Sequence, residues 1–158
     1  MNGAAVGAGC DLAIACDLRV GNPGSRFSMP TARLGFLYGT RGIERLVQTV
    51  GLPLAKEMLL TGSLVPAPRA LQAGLLSEVV SEADLLSVAR DRADVIADNA
   101  PLSVSASKRI VDVLAGCALN PQEVAEVASL QDQVWRSQDA AEGARAHHER
   151  RPPIFTGR

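Results

Sequence analysis

Asn2-Gly3-Ala4-Ala5-Val6-Gly7-Ala8-Gly9-Cys10-Asp11-Leu12-Ala13-Ile14-Ala15-Cys16-Asp17 decides how the rest of the chain is read. It reads as a tight glycine loop that runs straight into a helix. Gly3, Gly7 and Gly9 carry no Cβ, so the backbone can turn sharply or be approached closely there. From about Ala8 onward the residues are good helix formers, with Leu12, Ala13 and Cys16 at helical spacing. The first N–H groups of a helix have no partner within it and carry partial positive charge, which suits an anion or a developing oxyanion. Asp11 sits in that first turn.

Beyond the helix, Leu18 to Gly21 reads as a short strand. Asn22-Pro23-Gly24-Ser25 is a turn: a turn starter, a preset φ, then glycine. Arg26 to Met29 reads as a returning strand ended by Pro30, and residues 31–38 as a turn and loop. Ile43, Leu46, Val47 and Val50 share a helix face that Gly51 closes. Pro53 opens a second helix, ended by Gly62, and Pro66 and Pro68 flank a short third one that stops at Gly74. Leu75 to Val80 reads as a strand. Ser81 is placed to cap a long helix reaching Asn99. Pro101 opens a helix to about Leu119, Asn120-Pro121 with Glu123 opens one through Trp135, and Ala140 to Arg151 forms the last. A few early strands followed by helices indicate an α/β chain. Two regions follow: residues 1–80, with the glycine loop and its helix, and residues 81–158, which are helical.

With 158 residues, 47% of them apolar, and a formal net charge of −1, the chain is ordinary for a globular domain. Scattered arginines and scarce aromatics exclude a nucleic-acid footprint, and no apolar run reaches membrane-spanning length. Cys10, Cys16 and Cys117 lack zinc-like spacing and read as reduced, buried, cytoplasmic thiols. No metal site is expected. A dinucleotide-binding reading fails on three grounds: Leu12 stands where a third glycine would be needed, no strand precedes the loop, and no βαβ unit surrounds it.

The run from Asn2 to Val20 resembles the central signature of the crotonase (enoyl-CoA hydratase/isomerase) superfamily. The resemblance continues through Phe27-Ser28-Met29-Pro30 with Arg33-Leu34-Gly35, through Arg45-Leu46 to Gly51, and through Met58 to Gly62. It goes on through Ala70 to Val80 and through Glu142-Gly143 to Phe155. Several pieces in the right order make it specific. It implies a crotonase-like (ClpP/crotonase) α/β fold, represented by its second half: the end of the β-spiral core and the C-terminal helical trimerisation region. It implies an acyl-CoA substrate of fatty-acid-type metabolism and a lyase or isomerase activity. It also implies a homo-oligomer, a trimer or a dimer of trimers, and no cofactor beyond the coenzyme A that the substrate carries.

The resemblance also assigns roles. Ala8 takes the place of the residue whose backbone N–H polarises the thioester carbonyl, flanked by Gly7 and Gly9. Asp11 takes the place of the first catalytic carboxylate, which is glutamate in the hydratases. Thr31 stands where the hydratases carry a second carboxylate. Threonine can hydrogen-bond a water but is no base at neutral pH. Water addition is served by two such groups, whereas a one-base double-bond shift needs only one. Pro30, Leu34 and Tyr38 are expected to line the acyl pocket, and the Tyr38 phenol could also donate a proton. Arg150, read as part of the last helix, matches a lysine that contacts the CoA phosphate of a neighbouring subunit. The alternative reading is an impaired fragment that acts only with a partner.

Overall fold

The computed structural model describes residues 1–35, 37–115 and 120–158. It contains two compact units, Met1–Arg90 and Asp91–Arg158.

In the first unit a three-residue strand, β1 (Ala4–Val6), leads into α1 (Ala8–Ile14). β2 (Val20–Gly21) and β3 (Arg26–Ser28) follow. β1 pairs in parallel with β3, with Ala5 opposite Phe27, and β3 pairs antiparallel with β4 (Val65–Pro66). β2 pairs in parallel with β5 (Glu78–Val79). A strand therefore does precede the glycine run, and β1, α1 and β3 form a parallel crossover. Two of the three grounds against a dinucleotide module are overturned, and the missing glycine at Leu12 is the one that stands. β1 escapes a periodicity reading because only Ala5 of its three residues is buried.

The turn read at Asn22 to Ser25 is present, with the Ser25 N–H donating to the Asn22 carbonyl at 2.9 Å. The Asn22 side chain donates to Asn2 Oδ1 at 2.7 Å, which ties the turn to the chain's second residue. α2 (Thr40–Thr61) is broken at Gly51, whose φ of 74° and ψ of 164° are not helical. The two helices read on either side of Gly51 are these two segments. α3 (Ala67–Gln72) is short, as expected.

The core of the first unit gathers Phe27, Met29, Leu46, Met58, Val65, Leu75, Leu76 and Cys10, each almost fully buried. Burying such side chains contributes about 1.5–3 kcal/mol each for the larger ones. α1 buries Cys10, Ala13 and Ile14, so its inner face differs from the one read in the sequence. Leu12 is 70% exposed, and Cys16 is exposed rather than buried because the helix ends at Ile14. Cys117 lies outside the described residues.

α4 (Leu85–Ala97) starts three residues later than a cap at Ser81 predicts and buries no residue. Ser81 caps a preceding turn instead, accepting from the Asp84 N–H at 3.2 Å.

In the second unit, α5 (Pro101–Ala115) is joined to α6 (Pro121–Trp135) by the Arg109–Glu126 ion pair at 2.6 Å. The predicted end of α5 near Leu119 falls outside the described residues. Asn120 and Glu123 form a reciprocal capping box at the start of α6. α7 (Gln138–Glu149) is followed by a tail that folds back on it. Asp139 accepts from the Thr156 and Gly157 N–H groups at 2.7 and 2.8 Å. Glu142 accepts from Arg145, from Arg151 at 2.6 Å, and from the Ile154 N–H at 3.0 Å. Phe155 packs over Gly143. The last helix thus ends before Arg150, which lies beyond it with φ at 53°.

Candidate active site

β1 ends at Val6, and the Gly7 N–H donates to the Ser28 carbonyl at 2.9 Å, which continues the ladder for one more residue. Gly7 then turns with φ at 57°, a conformation that favours glycine, and its carbonyl accepts from the Asp11 N–H at 3.0 Å. The N-cap residue Gly7 has no side chain with which to cap α1. Ala8 and Gly9 lie exposed at its head, where helical N–H groups have no intrahelical acceptor. A Cβ on Gly7 or Gly9 would meet nothing within 4 Å. Gly7 is therefore required by its φ, and no close approach explains Gly9.

Asp11 is the hub of a three-residue cluster. Arg45, from the second turn of α2, places Nη2 2.9 Å from Oδ1 and 3.1 Å from Oδ2. The Tyr38 phenol, two residues before α2, also donates to the Asp11 carboxylate. Burial alone would raise the Asp11 pKa, but the hydrogen bonds from Arg45 and Tyr38 and the charge of Arg45 outweigh it and hold it below the ordinary range. The opposite holds for Tyr38: burial, the hydrogen bond to Asp11 and the Asp11 charge all raise its pKa. Burial pushes the neighbouring Cys10 thiol up to about 11, so it stays protonated at neutral pH.

Gly42 makes room for this arrangement. A Cβ there would sit 2.1 Å from Tyr38 Cε1 and 3.3 Å from Asp11 Oδ1. The first turn of α2 is thus shaved flat so that the tyrosine ring lies across it. Arg45 Nε is buried without a hydrogen-bond partner among the described residues. Leaving a buried donor unpaired costs about 1–3 kcal/mol, so the arginine is held in place for the contacts its other nitrogens make.

The structure brings Asp11 and Tyr38 together at the head of α1 beside Gly7, Ala8 and Gly9. Thr31 is buried at the start of a single 3₁₀ turn, Ala32–Leu34. The Pro30 carbonyl accepts from the N–H groups of Arg33 and Leu34 and so closes that turn, while the Leu34 side chain is 65% exposed. Arg150 is exposed in the second unit, past the end of α7. Sequence reasoning missed Arg45 and Gly42, which lie 34 and 31 residues from Asp11. A glycine within the first turn of a helix was the one available signal. Among the described residues, no group of three or more His, Cys, Asp or Glu could hold a metal ion, and no helix is long and apolar enough to cross a membrane.

The chain, with its parallel crossover and an acid at the helix head, superposes on solved enoyl-CoA hydratase/isomerase structures, and its fold is crotonase-like α/β. The solved enoyl-CoA hydratase of Mycobacterium tuberculosis H37Rv superposes with a TM-score of 0.90 at 37% identity, covering 99% of this chain and 62% of that one. The family model for enoyl-CoA hydratase/isomerase matches residues 1–158, and the chain belongs to that family. It is 36% identical over its whole length to the 2,3-dehydroadipyl-CoA hydratase of Escherichia coli K12, covering 62% of that protein. It is 37% identical to the (E)-benzylidenesuccinyl-CoA hydratase of Thauera aromatica, covering 99% of this chain and 61% of the relative. The chain thus spans about three fifths of the length of these curated relatives.

Proposed function

We propose that the chain forms part of an acyl-CoA lyase that adds water to, or removes it from, a carbon–carbon double bond conjugated with a thioester. Asp11 is the acid/base group and the Ala8 N–H one of the donors to the thioester oxygen. The observation that carries this reading is the Asp11 carboxylate, held ionised by Arg45 and Tyr38 at the uncapped head of α1. An ionised carboxylate there can take a proton from water, and a nearby N–H can stabilise the enolate oxygen. Such a donor is worth about 10²–10³ in rate. Both of these relatives are hydratases, which favours hydration over a double-bond shift. Their acyl groups differ at nearly equal identity, so the acyl chain is left as a class: a 2-enoyl thioester of CoA. The order of the motifs supports placing the chain in the second half of the family's domain. A homo-oligomer and a CoA-phosphate contact by Arg150 belong to the same reading.

A second reading, a fragment that acts only with a partner chain, is favoured by one observation. Among the described residues, β1 pairs on one side only, with β3. Such an edge is a template for another strand.

Product analysis tests the first reading. The chain is incubated with short 2-enoyl-CoA thioesters in D₂O and followed by NMR. Hydration is expected to give a 3-hydroxyacyl-CoA carrying deuterium at C2. A shifted double bond without added oxygen would overturn it in favour of isomerisation. No reaction, with activity appearing only on addition of a partner chain, would favour the second reading.

A further inference from the structure

Thr31 supplies no carboxyl group, and adding water takes a proton off the water and delivers one to C2, a transfer that two coupled groups can share. The structure offers a second proton-bearing group already bonded to the first. The Tyr38 phenol donates to Asp11, and the absence of a Cβ at Gly42 leaves room for its ring. Arg45 holds both Asp11 oxygens from the other side. We propose that Asp11 and Tyr38 work as one proton-relay pair, with Tyr38 the second proton-transfer group and Arg45 a positioning residue. This rests on the hydration reading above.

The steps balance without any further reactant. As the water oxygen bonds to C3, its proton goes to the Asp11 carboxylate. The double-bond electrons move to C2 and onto the thioester oxygen. Tyr38 gives its proton to C2 and becomes a phenolate. The proton now on Asp11 crosses the existing hydrogen bond to that phenolate, and both groups are restored. One water is added, nothing is oxidised or reduced, and the Asp11–Tyr38 contact is the return path. The charged and titratable groups facing Tyr38 are Asp11, Arg45 and Cys10.

Tyr38 is the only tyrosine in the chain, so phenolate absorbance reports it alone. In the full-length wild type its titration midpoint is expected above the ordinary value of 10, and in Asp11→Asn it is expected to fall back toward 10. A midpoint that does not move overturns the pair, whatever the activity. Tyr38→Phe keeps the ring against Gly42 and removes only the hydroxyl. Turnover of a 2-enoyl-CoA is expected to drop about 10²-fold or more, with thioester affinity unchanged. Undiminished turnover, or a loss matched by an equal loss of affinity, overturns the relay and leaves Tyr38 a pocket wall. A wild type that binds no acyl-CoA thioester overturns the hydration reading and the relay with it, while the titration still decides the coupling of the two residues.

Discussion

Arg45 Nη2 reaches both oxygens of Asp11, at 2.9 and 3.1 Å, and so joins the head of α1 to the second turn of α2. Removing that donor leaves the burial that raises the Asp11 pKa and deletes the strongest influence lowering it. Arg45→Met is therefore predicted to move the acid limb of the pH–rate profile to higher pH. Arg45→Lys should restore it in part, because a lysine keeps the charge but not the planar, rigid guanidinium that places Nη2 between both oxygens. A profile unchanged in Arg45→Met would show that the contact does not tune the acid.

Gly42→Ala tests the space under Tyr38. The new Cβ would overlap the ring edge, 2.1 Å from Cε1. A tyrosine at a loop end can swing out, so the fold should survive at a cost of about 1–3 kcal/mol in a urea melt. The Tyr38 absorbance titration should then fall toward that of a free phenol. A raised midpoint retained in the variant would mean that the ring has room elsewhere.

The tail of the second unit predicts acid sensitivity. Hydrogen bonds from Arg151, Arg145 and the Ile154 N–H hold the Glu142 carboxyl well below its ordinary 4.5. With the folded value lowered, the stabilisation is fully present above pH 4.5 and is lost as pH falls below it. Glu142→Gln should be less stable than wild type at neutral pH, and the gap should shrink in urea melts taken at successively lower pH. A gap that stays constant would contradict the pairing.

Phe27 is fully buried in β3, opposite Ala5. Phe27→Ala removes the largest side chain of that core and should cost about 3–5 kcal/mol. A melt shifted by less than about 1 kcal/mol would mean the site collapses around the cavity.

The helices were legible because their boundaries carry their own chemistry. Gly51, Gly62 and Gly74 all adopt the positive φ that a helix stop uses, and Asn120 with Glu123 spells a capping box. Asp11 was legible as an acid in a first helical turn. The strands β1 and β4 were not, since β1 lies inside the glycine run, β4 ends on Pro66, and the pairing of both is decided by partners far along the chain. Arg45 and Gly42 were hidden for the same reason. Nothing beside Asp11 in sequence announces a cation 34 positions away, and the fold of α2 onto α1 creates the pair. Leu12 misled the reading of α1 because a helix this short is oriented by the strand before it, so one apolar residue could be left facing outward.

The most direct test is the turnover of a 2-enoyl-CoA by wild type and by Asp11→Asn, with thioester affinity measured in parallel. Asparagine keeps the shape and cannot take a proton. Turnover is predicted to fall by about 10²–10⁴ while affinity holds. Equal turnover in the two proteins would contradict the assignment of Asp11 as the group on which the chemistry rests.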